Sequence, residues 1–497
     1  MQRDLNNAMR WSTTLAFGVL LFYAGMVHTQ AATITVTNKN DSGPGSLRQA
    51  LTIANDGDRI IFGVTGTIML TSGGLLIAKN VAVSGPGSNQ LSIDGNQAVL
   101  AFGIFPGKTA TISGLTIRNA ETGVWNEQGT LAVSNCGVTN AYDGLYNHEG
   151  TLNVSNCVLS SNTDLGLYSY EGITTVSNCV VTGNSSGGLV NDGPHNGPTP
   201  PNSPVGSPGS MTIADSMISD NSGPGVSNVA SFLTVLNSTL SGNSAGQAMN
   251  GAGIMSGPLF KTPADATIIN TTISGNSAPG SGGGVEGGYW GVTIINSTIS
   301  GNSAGDSAGG VSGNFFVRIM NSTISGNSAG NIGGGIATSG AELTNSTISG
   351  NSAASAGGIY YVQGPFTTTS EISNTIFNAG ALGENIVNNG ATVISHGYNL
   401  SSDDGGGVLN GPGDQINTNP LLGPLQNNGG PTFTHALSPG SPAIDAGDPN
   451  FAPPPINDQR GCPFDRVFNG RIDIGSFETQ PRARPCPRPR LTPSPRP

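Results

Sequence analysis

Apolar and polar positions alternate in short runs along this chain, and the runs repeat at long range. The decapeptide NSTISGNSAG occupies residues 296–305 and returns unchanged at residues 321–330. Near copies begin at Asn237, Asn270 and Asn345. The repeat recurs every 21 to 26 residues over much of the chain and carries no helical pattern. Such a period is typical of one coil of a β-solenoid.

The alternation also predicts which side chains face inward. Ser297, directly after a repeat Asn, has the same parity as Ile299, so both belong to the interior face. Successive coils of a parallel β-helix stack ~4.8 Å apart, so each residue contacts its own copies, and stacked Asn side chains hydrogen-bond along the axis. We therefore predict an all-β fold, a single right-handed parallel β-helix, with roughly eleven coils between Leu115 and Phe377.

Both open ends of such a rod require a cover. Ser46 and Gln49 have the spacing of a helix capping box, and the apolar residues that follow fall on one helical face, which predicts a short N-terminal capping helix. The Gly-, Pro- and Asp-rich segment 419–478 breaks the period. We expect this loop-rich C-terminal segment to close the other end of the rod.

The N-terminal sequence predicts that the protein is exported. Arg3 and Arg10 precede an apolar run from Leu15 to Val27, and small residues follow at Ala31 and Ala32, the pattern of a secretory signal peptide. A retained membrane anchor is the alternative. The expected divisions are a signal peptide (1–32), the N-terminal cap and first coils (33–110), β-helix repeats (111–400), a C-terminal cap (401–480) and a Pro/Arg-rich tail (481–497).

Composition narrows the possible partners. The net charge is -11, which argues against nucleic acid as a partner, because binding it requires a basic face. No segment after the leader is apolar enough to span a membrane, and we expect a monomer that is secreted or held at the cell surface. Of the five cysteines, Cys136, Cys157 and Cys179 follow the repeat, whereas Cys462 and Cys486 lie near the end and form a candidate pair.

Two segments carry a resemblance to known families. DSGPGSLRQALTIANDGDRIIF (41–62) resembles the domain named for the motif C-S-L-R-E-A, with Gly45 in place of Cys and Gln49 in place of Glu. NPLLGPLQNNGGPTFTHALSPGSPAIDAGD (419–448), DQRG (458–461) and DIGSFE (473–478) resemble the choice-of-anchor Q domain. The resemblance implies an exported bacterial β-helix protein and brings no catalytic residue with it.

The sequence offers no catalytic constellation. Hydrolysis of a glycoside requires paired carboxylates on one groove, and lyase chemistry requires a cation and a base. Between Met211 and Tyr360 there are eight charged residues and no histidine, and no two charged residues fall at matching positions of neighbouring coils with a basic partner. We predict no catalytic residues. A polysaccharide lyase or glycoside hydrolase remains the first alternative.

The first coils carry outward columns of a different kind. In each of these coils, the residue directly after the inward aliphatic residue belongs to an aromatic column. The residues two and three positions further along the chain form a second and a third column. Exposed aromatic rings beside acceptors suit a polysaccharide or cell-surface glycan, and carboxylates from adjacent coils suit Ca²⁺. The same stacking also stabilises a sheet that binds nothing. The aromatic column is Trp125, Tyr146 and Tyr168; the second column is Glu127, His148 and Tyr170; the third is Gln128, Glu149 and Glu171.

Charged residues near the C-terminus have a structural interpretation. Asp458, Arg460, Asp473 and Glu478 are predicted to form a charge-paired latch that holds the last loops, although they resemble a catalytic cluster. Asp445 and Asp448 suggest a Ca²⁺ loop, but their spacing matches no strong signature, so the metal assignment stays open. The sequence thus predicts an exported, non-catalytic scaffold that binds glycans or surfaces in adhesion or matrix, with a purely structural surface protein as the second alternative.

Overall fold

The computed structural model describes residues 31–194, 208–246, 250–257, 265–288, 291–364 and 368–480. The chain winds as a right-handed parallel β-helix, in which each coil contributes one strand to each of three long sheets. The predicted fold is confirmed. The predicted signal peptide up to residue 30, the tail, Cys486 and parts of two insertions between repeats (193–210 and 246–266) lie outside the described residues.

Sheet 1, with 13 strands among the described residues, carries the predicted outward columns. Its strands are Leu75–Ile77, Phe102–Ile104, Thr122–Glu127, Asp143–His148, Leu165–Tyr170, Gly187–Asp192, Val226–Val229, Ile254–Gly257, Val285–Gly287, Val311–Gly313, Ile336–Thr338, Ala356–Tyr361 and Glu384–Asn388.

Sheet 2 follows sheet 1 in each coil and has 15 described strands. They are Thr33–Val36, Arg59–Phe62, Val81–Ser84, Thr109–Ser113, Thr130–Ser134, Thr151–Ser155, Ile173–Ser177, Ser210–Ala214, Phe232–Leu236, Ala266–Ile269, Val292–Ile295, Val317–Met320, Ala341–Thr344, Thr369–Ser373 and Thr392–Gly397.

Sheet 3 completes the coil with 14 described strands, eleven of them from Thr116 to Asn378, as the sequence predicts. They are Gly66–Met69, Leu91–Asp94, Thr116–Arg118, Gly137–Thr139, Val158–Ser160, Val180–Thr182, Met217–Ser219, Thr239–Ser241, Thr272–Ser274, Thr298–Ser300, Thr323–Ser325, Thr347–Ser349, Ile376–Asn378 and Leu400–Ser401. A small parallel sheet joins Ser277–Ala278, Ser303–Ala304 and Ser328–Ala329, and an antiparallel pair joins Leu422–Gln426 and Thr434–Leu437.

The interior follows the predicted parity. Ile299 and Ser297 are both fully buried, and the three repeat cysteines are buried and free. The second Asn of each repeat forms a buried column, in which, for example, the backbone N–H and the Nδ2 of Asn302 both donate to Oδ1 of Asn327. The same Nδ2 also donates to the carbonyl of Ile273, so the column ties three coils together. Cys462 is disulfide-bonded.

The N-terminal end is covered as predicted. Helix α1 (Leu47–Ile53) begins at Ser46, whose side chain accepts from the N–H of Gln49, and the Gln49 side chain accepts from the N–H of Gly45. Leu47 and Leu51 are buried in the main core. The helix is far shorter than a bilayer crossing, and no described helix has the length and hydropathy for one.

The C-terminal segment differs from the expectation. A 3₁₀ turn (Gly405–Gly407) and Leu409, which joins the main core, lie at the end of the rod. The segment 419–480 instead turns back along the side of sheet 3: Thr298 donates to the Phe433 carbonyl, and the N–H of Gly475 donates to the Asn374 carbonyl. It buries its own small apolar cluster against that sheet. The rod is therefore closed by the first residues of the predicted cap (401–480), whereas the segment 419–478 lies along its side.

Candidate functional site

Sheet 1 places the aromatic column on its outer surface. Trp125, Tyr146 and Tyr168 pair directly across three neighbouring strands, each one position after a buried aliphatic residue. All three side chains are partly exposed. The register predicted from the sequence is therefore correct at these positions.

The rings stack on one another along the rod. The ring centroids of Trp125 and Tyr146 lie 4.3 Å apart with an interplanar angle of 12°, and those of Tyr146 and Tyr168 lie 5.0 Å apart at 31°. Stacking turns the ring faces towards each other, so the column offers mainly ring edges to solvent. In the middle of the column, the Tyr146 ring is covered on both faces by its neighbours.

The second column is linked to the first by hydrogen bonds. The Nε1 of Trp125 donates to Glu127 over 2.9 Å, and the other Glu127 oxygen lies 2.9 Å from Nδ1 of His148. The His148 and Tyr170 rings stack at 5.5 Å. Burial opposes ionisation of Glu127, but the bonds from Trp125 and His148 outweigh it and lower its pKa. Glu127 is thus an anion held in place by the two columns.

The third column lies just beyond the strands. Gln128, Glu149 and Glu171 adopt positive φ values of 48°, 52° and 49°, so they form the turns after sheet 1 and are not part of its strands. Nε2 of Gln128 donates to Glu149 over 2.8 Å. Hydrogen bonding to Glu171 raises the pKa of Tyr170 to about 12. These carboxylates line the edge of the columns as acceptors.

The surroundings of the columns are acidic. Burial and the nearby charge of Asp164 raise the pKa of Asp143 to about 6, and the hydroxyl of Tyr168 donates to Asp192 over 2.6 Å. The described carboxylates of these columns do not come close enough together to hold a metal ion as a group. The acidic edge therefore suits hydroxyl donors better than anionic sugars.

The latch residues are brought together and buried. Nη2 of Arg460 lies 2.6 Å from Asp458, and its guanidinium is held between the rings of Phe464 and Phe477, at 3.7 and 3.8 Å from their centroids. Nη2 also donates to the Glu478 carbonyl over 2.6 Å. The bonds of this arginine therefore join two loops of the C-terminal segment.

Among the described residues, one group of carboxylates is close enough together to hold a metal ion, and it includes the latch residues Asp473 and Glu478. Asp445, Asp473 and Glu478 approach each other closely, whereas Asp448 is not part of the group. Burial raises the pKa of Glu478 to about 8, and the charge of Arg466 opposes that rise. Arg466 is fully buried and was not singled out in the sequence, and its position among these carboxylates supplies their counter-charge. The charge of Arg466 is thus buried beside these carboxyl groups, and its Nη2 donates to the Asp473 carbonyl over 2.6 Å.

Two polar residues near the end of the rod make local contacts. Asp403 accepts from the N–H groups of Asn385 and Gly405 and so fixes the turn at the end of the rod. His396 forms an exposed pair with Glu371.

One functional candidate was missed by sequence reasoning. The outward position of the aromatic column continues along sheet 1, through strands paired in register, to Glu286. Glu286 is only 9% exposed, and its Oε2 atom is buried without a hydrogen-bond partner. Burial raises its pKa to about 7, against the opposing bond to Ser312. The column from Trp125 to the end of sheet 1 reads Trp125, Tyr146, Tyr168, Val190, Ser227, Met255, Glu286, Ser312, Ala337, Tyr360 and Val387.

Comparisons with known proteins agree with the fold. A family model described as "Right handed beta helix region" matches residues 101–257. Curated proteins give no match. Similar solved structures include the A-module of the Azotobacter vinelandii mannuronan C-5 epimerase AlgE6, with 15% identity over 73% of this chain and 97% of that chain and a TM-score of 0.41.

Two further structures are similar at the same level. The catalytic unit of the GH87 α-1,3-glucanase from Streptomyces thermodiastaticus strain HF3-3 is 13% identical over 75% of this chain and 69% of that chain, with a TM-score of 0.41. Pectate lyase Pel9A is 14% identical over 91% of this chain and 97% of that chain, with a TM-score of 0.35. Likeness at this level carries no argument about activity, because one fold hosts many functions.

Proposed function

We propose that this protein is an exported bacterial β-helix scaffold, secreted or held at the cell surface, that binds glycans through sheet 1 in adhesion or matrix. The observation that carries the proposal is the partly exposed stack of Trp125, Tyr146 and Tyr168 beside the carboxylates of the second and third columns. Ring edges supply apolar contact, and carboxylates accept hydrogen bonds from sugar hydroxyls.

Non-catalytic binding fits these columns better than hydrolysis. Glu127 is held ionised by Trp125 and His148, so it cannot supply the proton that the general acid of a glycoside hydrolase must donate. In this proposal, the protein is a monomer that binds its ligand at its surface, and nucleic acid is not a partner. The C-terminal segment along sheet 3 leaves the described face of sheet 1 uncovered by its contacts.

A purely structural surface protein is the second candidate, and one observation favours it. The rings of the aromatic column contact each other, and Trp125, Glu127 and His148 satisfy one another by hydrogen bonds. A column whose side chains stack on and hydrogen-bond to one another stabilises a sheet without any ligand.

Binding of the purified full-length chain to a panel of neutral, uronate-containing and sulfated glycans, with and without calcium, separates the candidates. The test variant carries Trp125→Ala, Tyr146→Ala and Tyr168→Ala, and the matched control is Phe232→Ala, an exposed aromatic residue on sheet 2. We expect binding by the parent and the control and loss in the triple variant. Circular dichroism checks that each variant keeps its fold.

A milder double variant, Glu149→Gln with Glu171→Gln, keeps side-chain size and removes only the acceptor charge. Weaker glycan binding by this variant supports the proposal even if the triple variant is unstable. A parent that binds no glycan favours the structural protein. Degradation of any glycan in the panel shows that the chain is an enzyme.

A further inference from the structure

A cleft opens on sheet 1 at the position of Glu286. It has a volume of about 390 Å³ and is lined by residues of five successive coils, three of which form its base. The column residues at its base are Glu286, Ser312 and Ala337, whereas the next residue of the same column is Tyr360. Because Ser312 and Ala337 are small and lie between Glu286 and Tyr360, the surface is depressed at these two positions.

The burial of Glu286 follows from the backbone that precedes its strand. A Cβ atom at Gly282 would lie 2.8 Å from the Cα and the Oε2 of Glu286, so only glycine allows this segment to pass so close. Gly282 has a φ of +68°, which also favours glycine. The chain thus covers the carboxyl from one side, and the cleft lies on the other.

The described lining of the cleft is mostly polar and, apart from Glu286, uncharged. Hydroxyls and amides come from both walls: Ser281 and Ser307 share a 2.7 Å hydrogen bond on one, and Asn314, Ser339 and Gln363 lie on the other. No described lining residue is a lysine, arginine or histidine. An anionic ligand would therefore meet the Glu286 carboxyl without a counter-charge.

The unpartnered Oε2 atom lies against Gly282, so a ligand in the cleft meets the Glu286 carboxyl from its other side. Sugar hydroxyls both donate and accept, so they can pair with a carboxyl in either protonation state. Calcium would require six to eight oxygen ligands, of which the described lining supplies one carboxylate. The charge and hydrogen-bonding character of the cleft thus select a neutral ligand.

We propose that the Glu286 cleft is a second binding site on sheet 1, which takes one neutral, hydroxyl-rich saccharide unit. This inference extends the glycan-binding function proposed above and rests on it. Four coils at ~4.8 Å each separate Tyr168 from Glu286 by roughly 19 Å along one face. A single glycan chain can therefore contact both the aromatic column and the cleft.

The test uses the full chain labelled with ¹³C at the glutamate side-chain carboxyl, with the Glu286 signal assigned by its loss in Glu286→Gln. Neutral hexoses (glucose, galactose, mannose and N-acetylglucosamine), glucuronate and galacturonate, and calcium chloride are titrated separately. We expect at least one neutral hexose to shift the Glu286 signal saturably, and the uronates and calcium to leave it in place. Glu342, an exposed partner of Arg318 on sheet 2, is the internal control.

Ala337→Tyr tests the cleft without changing Glu286. Tyrosine fills the same column position at residues 146, 168 and 360, so the fold accommodates it, and the ring would occupy the cleft. We expect this variant to lose the hexose-induced shift. A shift that persists in Ala337→Tyr, a larger shift with uronate or calcium, or no shift with any neutral hexose overturns the inference. The aromatic column is read separately by the glycan panel, so the two proposals can fail independently.

Discussion

Replacing Glu286 by Gln should stabilise the protein at neutral pH and leave it unchanged in acid. The carboxyl is 9% exposed and has no cationic partner among the described residues of its cleft. Burial therefore favours the protonated form and raises the pKa from 4.5 to about 7. Glutamine has nearly the same shape as the protonated acid and cannot ionise.

The sign and size of this stability change follow from proton linkage. A carboxyl whose pKa is higher in the folded state lowers the free energy of unfolding as pH rises from about 4.5 to about 7, and the loss is complete above that range. With about 1.4 kcal/mol per pKa unit, the shift corresponds to about 3 kcal/mol. Asp143 and Glu478 also titrate with raised pKa values, but they are present in both proteins and cancel in the difference.

The assay is chemical unfolding of parent and Glu286→Gln across this pH range, followed by circular dichroism. Hydrogen exchange of the strands Val285–Gly287 and Val311–Gly313 gives the same comparison locally, because solenoids can open in segments. We expect no difference at about pH 4 and about 3 kcal/mol in favour of Gln at about pH 8. Glu342→Gln, which removes an exposed ion pair, should change stability by under ~1 kcal/mol. An equal difference at both pH values, or none at the higher pH, would refute burial of an unpaired carboxyl as the cause.

Three further changes test the rod and the latch, each read as a change in the free energy of unfolding. Arg460→Leu should cost about 3–5 kcal/mol, because it leaves Asp458 buried without its partner, and a cost under 1 kcal/mol would mean that the latch is not charge-paired. Asn302→Ala should cost about 1–3 kcal/mol by leaving buried groups of the Asn column unpaired; an unchanged midpoint contradicts this. Gly326→Ala should cost about 1–2 kcal/mol through its φ of +65° alone, since its Cβ would meet nothing within 4 Å; Gly257→Ala, equally open but without positive φ, is the control and should be neutral.

The interior of the rod could be predicted from sequence because stacking forces it to repeat. Ser297 and Ile299 follow the period-two rule, and their copies in neighbouring coils hold the same positions. The capping helix was predictable for a similar reason, since Ser46 and Gln49 form a local motif. Both features depend on residues that are near each other in sequence or related by a fixed period.

The outer surface follows no such rule. Parity places Tyr146 outside, but the rotation of its ring against Trp125 depends on packing in three dimensions. Glu286 follows an inward aliphatic residue, as Trp125 does, so its position in the column is visible in the sequence. Its burial beside Gly282 is not visible there, because the segment that covers it is fixed by packing in three dimensions.

Glu286 shares one feature with other residues of sheet 1, since Asn126, Asp143 and Asn191 also have a buried side-chain oxygen without a hydrogen-bond partner. The Glu286 carboxyl in addition lines a cleft, and its burial lowers stability at neutral pH. Departures from local consistency are expected where function requires them. The carboxyl lies in a cleft that two small neighbours, Ser312 and Ala337, keep open, and together these three residues distinguish the middle of sheet 1 from a column built only for stacking.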